Sequence, residues 1–160
     1  MGAGKHGGFG KTYGLSAGDA IYKSEPTAYF DNISRRQDKD KNGFYDVVAH
    51  GGKNIIQITH NGKAIAISSR IAAKLIKTSP GYKNGQPVRL LSCNTGSLPN
   101  GFAQNLANKL NIIVEAPTKL VWAYNNGKYF VASRSEKNPE RPNYQDKRKF
   151  INFYPGGNKK

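Results

Sequence analysis

Acidic residues are scarce in this chain, ten against 25 lysines and arginines over 160 residues, which leaves a formal charge of +15. Cysteine is scarcer, with Cys93 alone, and that excludes an internal disulfide and a cysteine-rich zinc site. No stretch approaches the roughly 18 uninterrupted apolar residues a membrane helix needs. Residues 1–6 lack the apolar core of a secretory leader, and the leading methionine reads as a start placed on an excised domain. There is no internal repeat and no metal-ligand cluster. The Gly7-Gly8-Phe9-Gly10 run is no phosphate loop, because it follows no strand and lacks a Gly-Lys-Ser/Thr ending. Asp38-x-Asp40-x-Asn42-Gly43 resembles the opening of a calcium loop. Its glycine comes directly after the third ligand position, however, and no Glu closes the loop, so it reads as an ordinary turn.

What is present fits one globular domain with many turns: 37% hydrophobic residues, 18 glycines and a mean hydropathy of -0.66. The positive field favours polyanions such as nucleic acid, anionic headgroups or a highly phosphorylated small molecule. The basic residues are dispersed, with clusters only at Arg35-Arg36 and Lys147-Arg148-Lys149, which argues against a basic DNA-reading face.

Along the chain, residues 1–18 read as a Gly-rich lead-in and 19–160 as a single α/β domain. Ala20-Ile21-Tyr22 and Ala28-Tyr29-Phe30 are expected as short edge strands. Two hairpins are signalled, His60-Asn61-Gly62-Lys63 between residues 54–59 and 64–67, and Asn125-Asn126-Gly127 between 120–124 and 129–132. Ser68 or Ser69 caps a helix carrying Ile71, Ala72, Leu75 and Ile76. Asn100 or Gly101 starts a second, with Phe102, Ala103, Leu106, Ala107 and Leu110 on one face. Ile112-Ile113-Val114 is expected as a buried strand closed by Ala116-Pro117-Thr118, residues 133–149 as a mobile basic loop or flap, and residues 150–154 as a last edge strand.

Two stretches organise the rest. Phe44-Tyr45-Asp46-Val47-Val48-Ala49-His50-Gly51 and Val88-Arg89-Leu90-Leu91-Ser92-Cys93-Asn94-Thr95-Gly96 are apolar runs, each ending in a chemically capable residue and a glycine-bearing turn. As parallel neighbours they would bring His50 and Cys93 to one carboxyl edge of a sheet, where clefts of open α/β folds form. The turn after Cys93 is expected to expose the thiol and to point backbone N–H groups into the cleft, where they and Gly51 could hold an oxyanion. Gly51 also lets backbone and substrate approach closely. His50 would protonate a leaving amine and assist the deacylating water. The plain alternatives are a small buried hydrophobe for Cys93 and a surface ring for His50. Trp122, Tyr124 and Tyr129 read as one face of a core rather than as a stacking surface.

Asp46-Val47-Val48-Ala49-His50-Gly51 and Leu90-Leu91-Ser92-Cys93-Asn94-Thr95-Gly96 resemble the His-Gly and strand-Cys signatures of the caspase-like (clan CD) cysteine peptidases. The Ser-Cys-Asn-Thr-Gly string is similar to the Ala-Cys-Glu-Thr-Gly of CHAT domains, and the layout to the self-processing domains of large bacterial toxins. Residues 82–122 also look like C-terminal domains of Rhs and other polymorphic toxins. The resemblance implies a small three-layer caspase-like fold with a mostly parallel central sheet and hairpin additions. It implies a hydrolase of the thiol protease type, with His50 as general acid/base, Cys93 as nucleophile, and Gly51 with the Cys93 amide as oxyanion hole. It further implies a secreted bacterial effector delivered into a target cell, acting in the cytoplasm on a protein or peptide, and held in check by an immunity protein. An inositol hexakisphosphate-like activator would suit Arg134, Lys147, Arg148 and Lys149; no metal or other cofactor is expected. The alternative is a basic ribonuclease-type toxin in which the positive field holds RNA and His50 or His60 works with Lys or Arg.

Overall fold

In the computed structural model the described residues are 16–18 and 28–157. The order is β1 (Ser16–Ala17), α1 (Ala28–Ile33), β2 (Tyr45–Val48), β3 (His50–Gly51), β4 (Ile56–His60), β5 (Lys63–Ile67), α2 (Ser69–Lys77), β6 (Val88–Leu91) and α3 (Phe102–Leu110). The strands β7 (Val114–Pro117), β8 (Leu120–Ala123), β9 (Tyr129–Arg134), β10 (Pro142–Arg148) and β11 (Phe150–Phe153) follow. The fold is α/β, built on a mixed central sheet in the order β11-β7-β6-β2. Antiparallel sheets β1-β8-β9-β10 and β3-β4-β5 stand beside it. In the central sheet β2 and β7 both run parallel to β6, and β11 is antiparallel to β7.

Strand alternation divides the interior into two cores around the central sheet. Val88 and Leu90 of β6, with Val114 and Ala116 of β7, pack against Ala72, Ala73 and Ile76 of α2 and Phe102, Ala103 and Leu106 of α3. Leu91 and Cys93 point the other way, into a core with Tyr29 and Ile33 of α1 and the whole of β8. Helix α2 starts where Ser68 Oγ accepts from the Ile71 amide at 3.4 Å. Its buried face is Ser69, Ala72, Ala73 and Ile76, a set of mostly small residues against α3, which leaves Ile71 and Leu75 at the surface. The first hairpin turns through Asn61 and Gly62, both at positive φ, the geometry that Asn-Gly favours.

Several expectations are corrected. Ala28-Tyr29-Phe30 is not a strand but the first half of α1. Its controlling spacing is four, since Tyr29 and Ile33 bury one above the other, while Asn32 Nδ2 donates to the Ala123 carbonyl at 2.9 Å. Residues 133–149 are not a loose flap: β10 pairs with β9 along Pro142↔Arg134 and Lys147↔Ala132, with a bulge between. Proline is tolerated there because Pro142 is the first residue of the strand. Strand β7 begins at Val114 and includes Ala116 and Pro117, which pair with Ile151 and Phe150 of β11. Residues 16–18, read as lead-in, belong to the fold: Ser16 and Ala17 pair with Ala123 and Trp122. The strand expected at Ala20-Ile21-Tyr22 lies outside the described residues.

Candidate functional site

The parallel pairing of β2 with β6 runs Tyr45↔Val88, Asp46↔Arg89, Val47↔Leu90 and Val48↔Leu91. His50 and Cys93 each stand two residues beyond the last pair, at the carboxyl ends of adjacent strands and on the sheet face of Val48 and Leu91. At this level β2 gives way to β3, which leaves the central sheet to pair with β4. Gly51 lies directly against Ser92 and Cys93, just beyond the end of β6. A Cβ there would stand 2.6 Å from the Cys93 carbonyl oxygen and 2.9 Å from the Ser92 carbonyl carbon, so only glycine fits this approach. The Gly52 amide donates to the Ile55 carbonyl, and alternation along this antiparallel pair turns the Gly51 amide away from β4.

The imidazole of His50 is half-buried. Nδ1 lies 2.7 Å from the Gly18 carbonyl oxygen, which can only accept, so Nδ1 carries the hydrogen and Nε2 is the basic nitrogen. The ring packs on Phe30, with centroids 4.5 Å apart, and borders Tyr29 at 6.5 Å. A fixed tautomer with its base nitrogen set by a third group is what general acid/base work requires. The carbonyl comes from a segment 32 residues upstream, a partner no local motif signals.

Cys93 differs from expectation. The thiol is fully buried among Tyr29, Leu91 and Val121 rather than exposed by its turn. The Val121 amide donates to Sγ at 3.2 Å, and Sγ lies 3.9 Å from the Val121 carbonyl oxygen. The amides beyond it do not point into a cleft either: Asn94 N–H donates to Lys119 O at 2.9 Å and Gly96 N–H to Pro117 O at 2.8 Å. The turn is built by Asn94 at φ 63°, a left-handed conformation asparagine tolerates. Tyr29 links the two candidates, being close to both. Its hydroxyl donates to the Leu91 carbonyl at 2.9 Å, and burial, with the nearby Cys93, raises its pKa well above the ordinary tyrosine value.

Below the pair on the same sheet face lies a buried charge network. Arg89 donates to both carboxylate oxygens of Asp46, at 2.8 and 2.6 Å, to Asp38 Oδ2 at 3.1 Å and to the Tyr129 hydroxyl at 2.8 Å. Arg36 adds a bond to Asp46 at 2.7 Å. Burial works to raise the carboxyls of Asp38 and Asp46, but the Tyr129 and arginine hydrogen bonds outweigh it, and both are held below the usual range. Burial also lifts the Tyr129 hydroxyl, with help from its bond to Asp38, and raises Glu115, the register partner of Arg89 on β7. The calcium-like fragment is thus in part an ion-pair anchor, Asp38 holding Arg89 and Asp40 capping the Asp46 amide at 3.2 Å.

The remaining candidates lie on β4, on β9 and β10, and at Lys149 between β10 and β11. Arg134 lies over the Trp122 ring at 5.4 Å, Lys147 over Phe130 at 5.1 Å, and Arg148 pairs with Asp146 at 2.7 Å. Alternation turns Lys147 and Arg148 to opposite faces of β10. His60 ends β4 three residues past Gln57, the partner of His50, so the two histidines stand about 10 Å apart along the strand. Among the described residues no helix is long and apolar enough to cross a membrane, and no group of three or more His, Cys, Asp or Glu is placed to hold a metal.

No curated protein and no solved structure matches this sequence. Residues 21–131, which carry β2 to β8 with both His50 and Cys93, match the family described as Domain of unknown function (DUF8616). That match covers more than half of the chain, and the protein belongs to the DUF8616 family.

Proposed function

We propose that this domain is a cysteine peptidase-like hydrolase acting on peptide or amide bonds, with Cys93 as nucleophile and His50 as general acid/base. The observation that carries the reading is the parallel register of β2 with β6, which brings both residues to one edge and one face of the sheet. The Nδ1 contact to Gly18 supports it by fixing the orientation and tautomer of the imidazole. In the proposed reaction His50 takes the thiol proton and sulfur attacks the carbonyl carbon. The amides of Gly51 and Cys93 receive the oxyanion, and His50 returns the proton to the leaving amine. Water then hydrolyses the thioester, giving its proton to His50, and the thiol is restored. Because Cys93 is fully buried, uncovering of the sulfur is a required step of this cycle. A bacterial toxin effector or self-processing role, with an immunity partner and a polyanion activator, fits the same reading through the resemblance of the two strand motifs.

The test compares wild type with Cys93→Ala, Cys93→Ser and His50→Ala for growth inhibition on expression and for fragmentation of target-cell proteins and of the domain's own polypeptide. Each substitution is expected to remove activity while circular dichroism stays native and the melting transition, lowered by the lost core contacts, stays cooperative. Full activity in Cys93→Ala would end the thiol reading. Degraded RNA, with activity lost only on replacing Lys147, Arg148 and Lys149, would establish the ribonuclease alternative.

A further inference from the structure

We propose that the outer edge of β2 and the apolar cavity beside it form a docking site for an extended peptide, which joins the central sheet as an added strand. β2 is the last strand of its sheet, and no described strand pairs with its outer side. The Tyr45 amide donates to the Pro87 carbonyl at 2.8 Å, so Tyr45 and Val47 turn their backbone groups toward β6 and Asp46 and Val48 turn theirs outward. The Asp46 amide is taken by Asp40 Oδ1; among the described residues no backbone partner stands against the Asp46 carbonyl or the Val48 N–H and C=O on this outer side.

Beside this edge, between the β4–β5 hairpin and α2, lies a cavity of about 280 Å³, lined chiefly by Val48, Ile56, Ile58, Ile67, Leu75 and Ile76. Leu75 is 47% exposed at its mouth, and Ile71 and Ile65 stand at the surface of the same helix and hairpin. One end is closed by the Tyr45–Ser79 hydrogen bond at 2.6 Å.

A hydrocarbon ligand would fill the cavity but leave the Val48 N–H and C=O unmatched, and the apolar walls offer nothing to phosphate. An extended peptide satisfies both features, its main chain pairing with the edge and alternate apolar side chains entering the cavity. The positive charge of the domain favours acidic ends on such a peptide. The site needs no thiol chemistry and stands apart from the hydrolase reading.

The probe is a fluorescent peptide of alternating valine and threonine with glutamate at both ends, titrated with the full chain and read by anisotropy. A version N-methylated on alternate residues removes the edge-facing amides, and Leu75→Glu places a charge at the cavity mouth without burying it. Each change is expected to weaken binding about tenfold, the worth of one good hydrogen bond or contact, with the melting transition of the variant unchanged. Equal binding of the N-methylated peptide, or undiminished binding to Leu75→Glu, would overturn the proposal. So would absence of peptide binding together with a dimer in sedimentation that Leu75→Glu dissolves, since the edge would then serve a second copy of the chain.

Discussion

At the scale of single residues, Gly51 is the position in the candidate site where backbone contact leaves no room for a side chain. The atoms a Cβ would meet belong to the main chain of Ser92 and Cys93 and to the Ser92 Cβ, none of which can swing aside. Gly51→Ala is therefore expected to cost about 1–3 kcal/mol, the range for overpacking a filled site, read as a lowered urea midpoint at unchanged m-value. In the hydrolase reading it also lowers kcat more than it raises KM, because the Gly51 amide meets charge that develops only in the transition state. Both His50 and Cys93 were legible from the sequence as strand-end residues, since a buried parallel strand is a short apolar run with a turn behind it. The burial of the thiol was not legible. It depends on Tyr29 and Val121, which lie 64 positions before and 28 after Cys93 in the chain and carry no motif.

At the scale of elements, α1 holds the second core in place. Its Tyr29 hydroxyl reaches the Leu91 carbonyl and its Asn32 the Ala123 carbonyl, so a helix of only six residues is joined to both β6 and β8. Tyr29→Phe keeps the ring and removes one buried hydrogen bond, and is expected to cost about 1 kcal/mol in urea unfolding. The same element explains why sequence reading failed there. Ala28-Tyr29-Phe30 is aromatic and short, and its strand propensity is local, whereas its helical state is imposed by the contacts of Tyr29 and Ile33 at a spacing of four. The two hairpins and α2 were readable because Asn-Gly turns and the Ser68 cap act within a few residues. Strand β10 was hidden by its leading proline and its charges, since Tyr144 and Lys147 gain their order from Phe130 on the neighbouring strand.

At the scale of the whole molecule, the net charge of +15 means that acidification adds to an existing repulsion. Asp38 and Asp46 have folded-state pKa values below the unfolded value. Their contribution is therefore complete above about pH 4 and drains away as pH falls through the lowered folded values. Glu115 has the opposite sign: its raised carboxyl costs stability at neutral pH and relieves that cost as it protonates. Urea midpoints are expected to hold or rise slightly on going from neutral pH to about 5, and then to collapse below about 4. Added salt should soften the collapse by screening the excess positive charge. A flat profile down to about pH 3 would mean that the buried ion pairs contribute nothing.

The Asp46–Arg89 pairing has a consequence for alignment. Sliding β2 by one position along β6 would turn Asp46 to the opposite side of the sheet and strip the buried Arg89 guanidinium of its two-pronged carboxylate partner, with Asp38 alone left to it. The strands are thus keyed against slippage by a bridge four residues below the imidazole and the sulfur. Transplanting the two strand tips into another scaffold without that key would forfeit their common level.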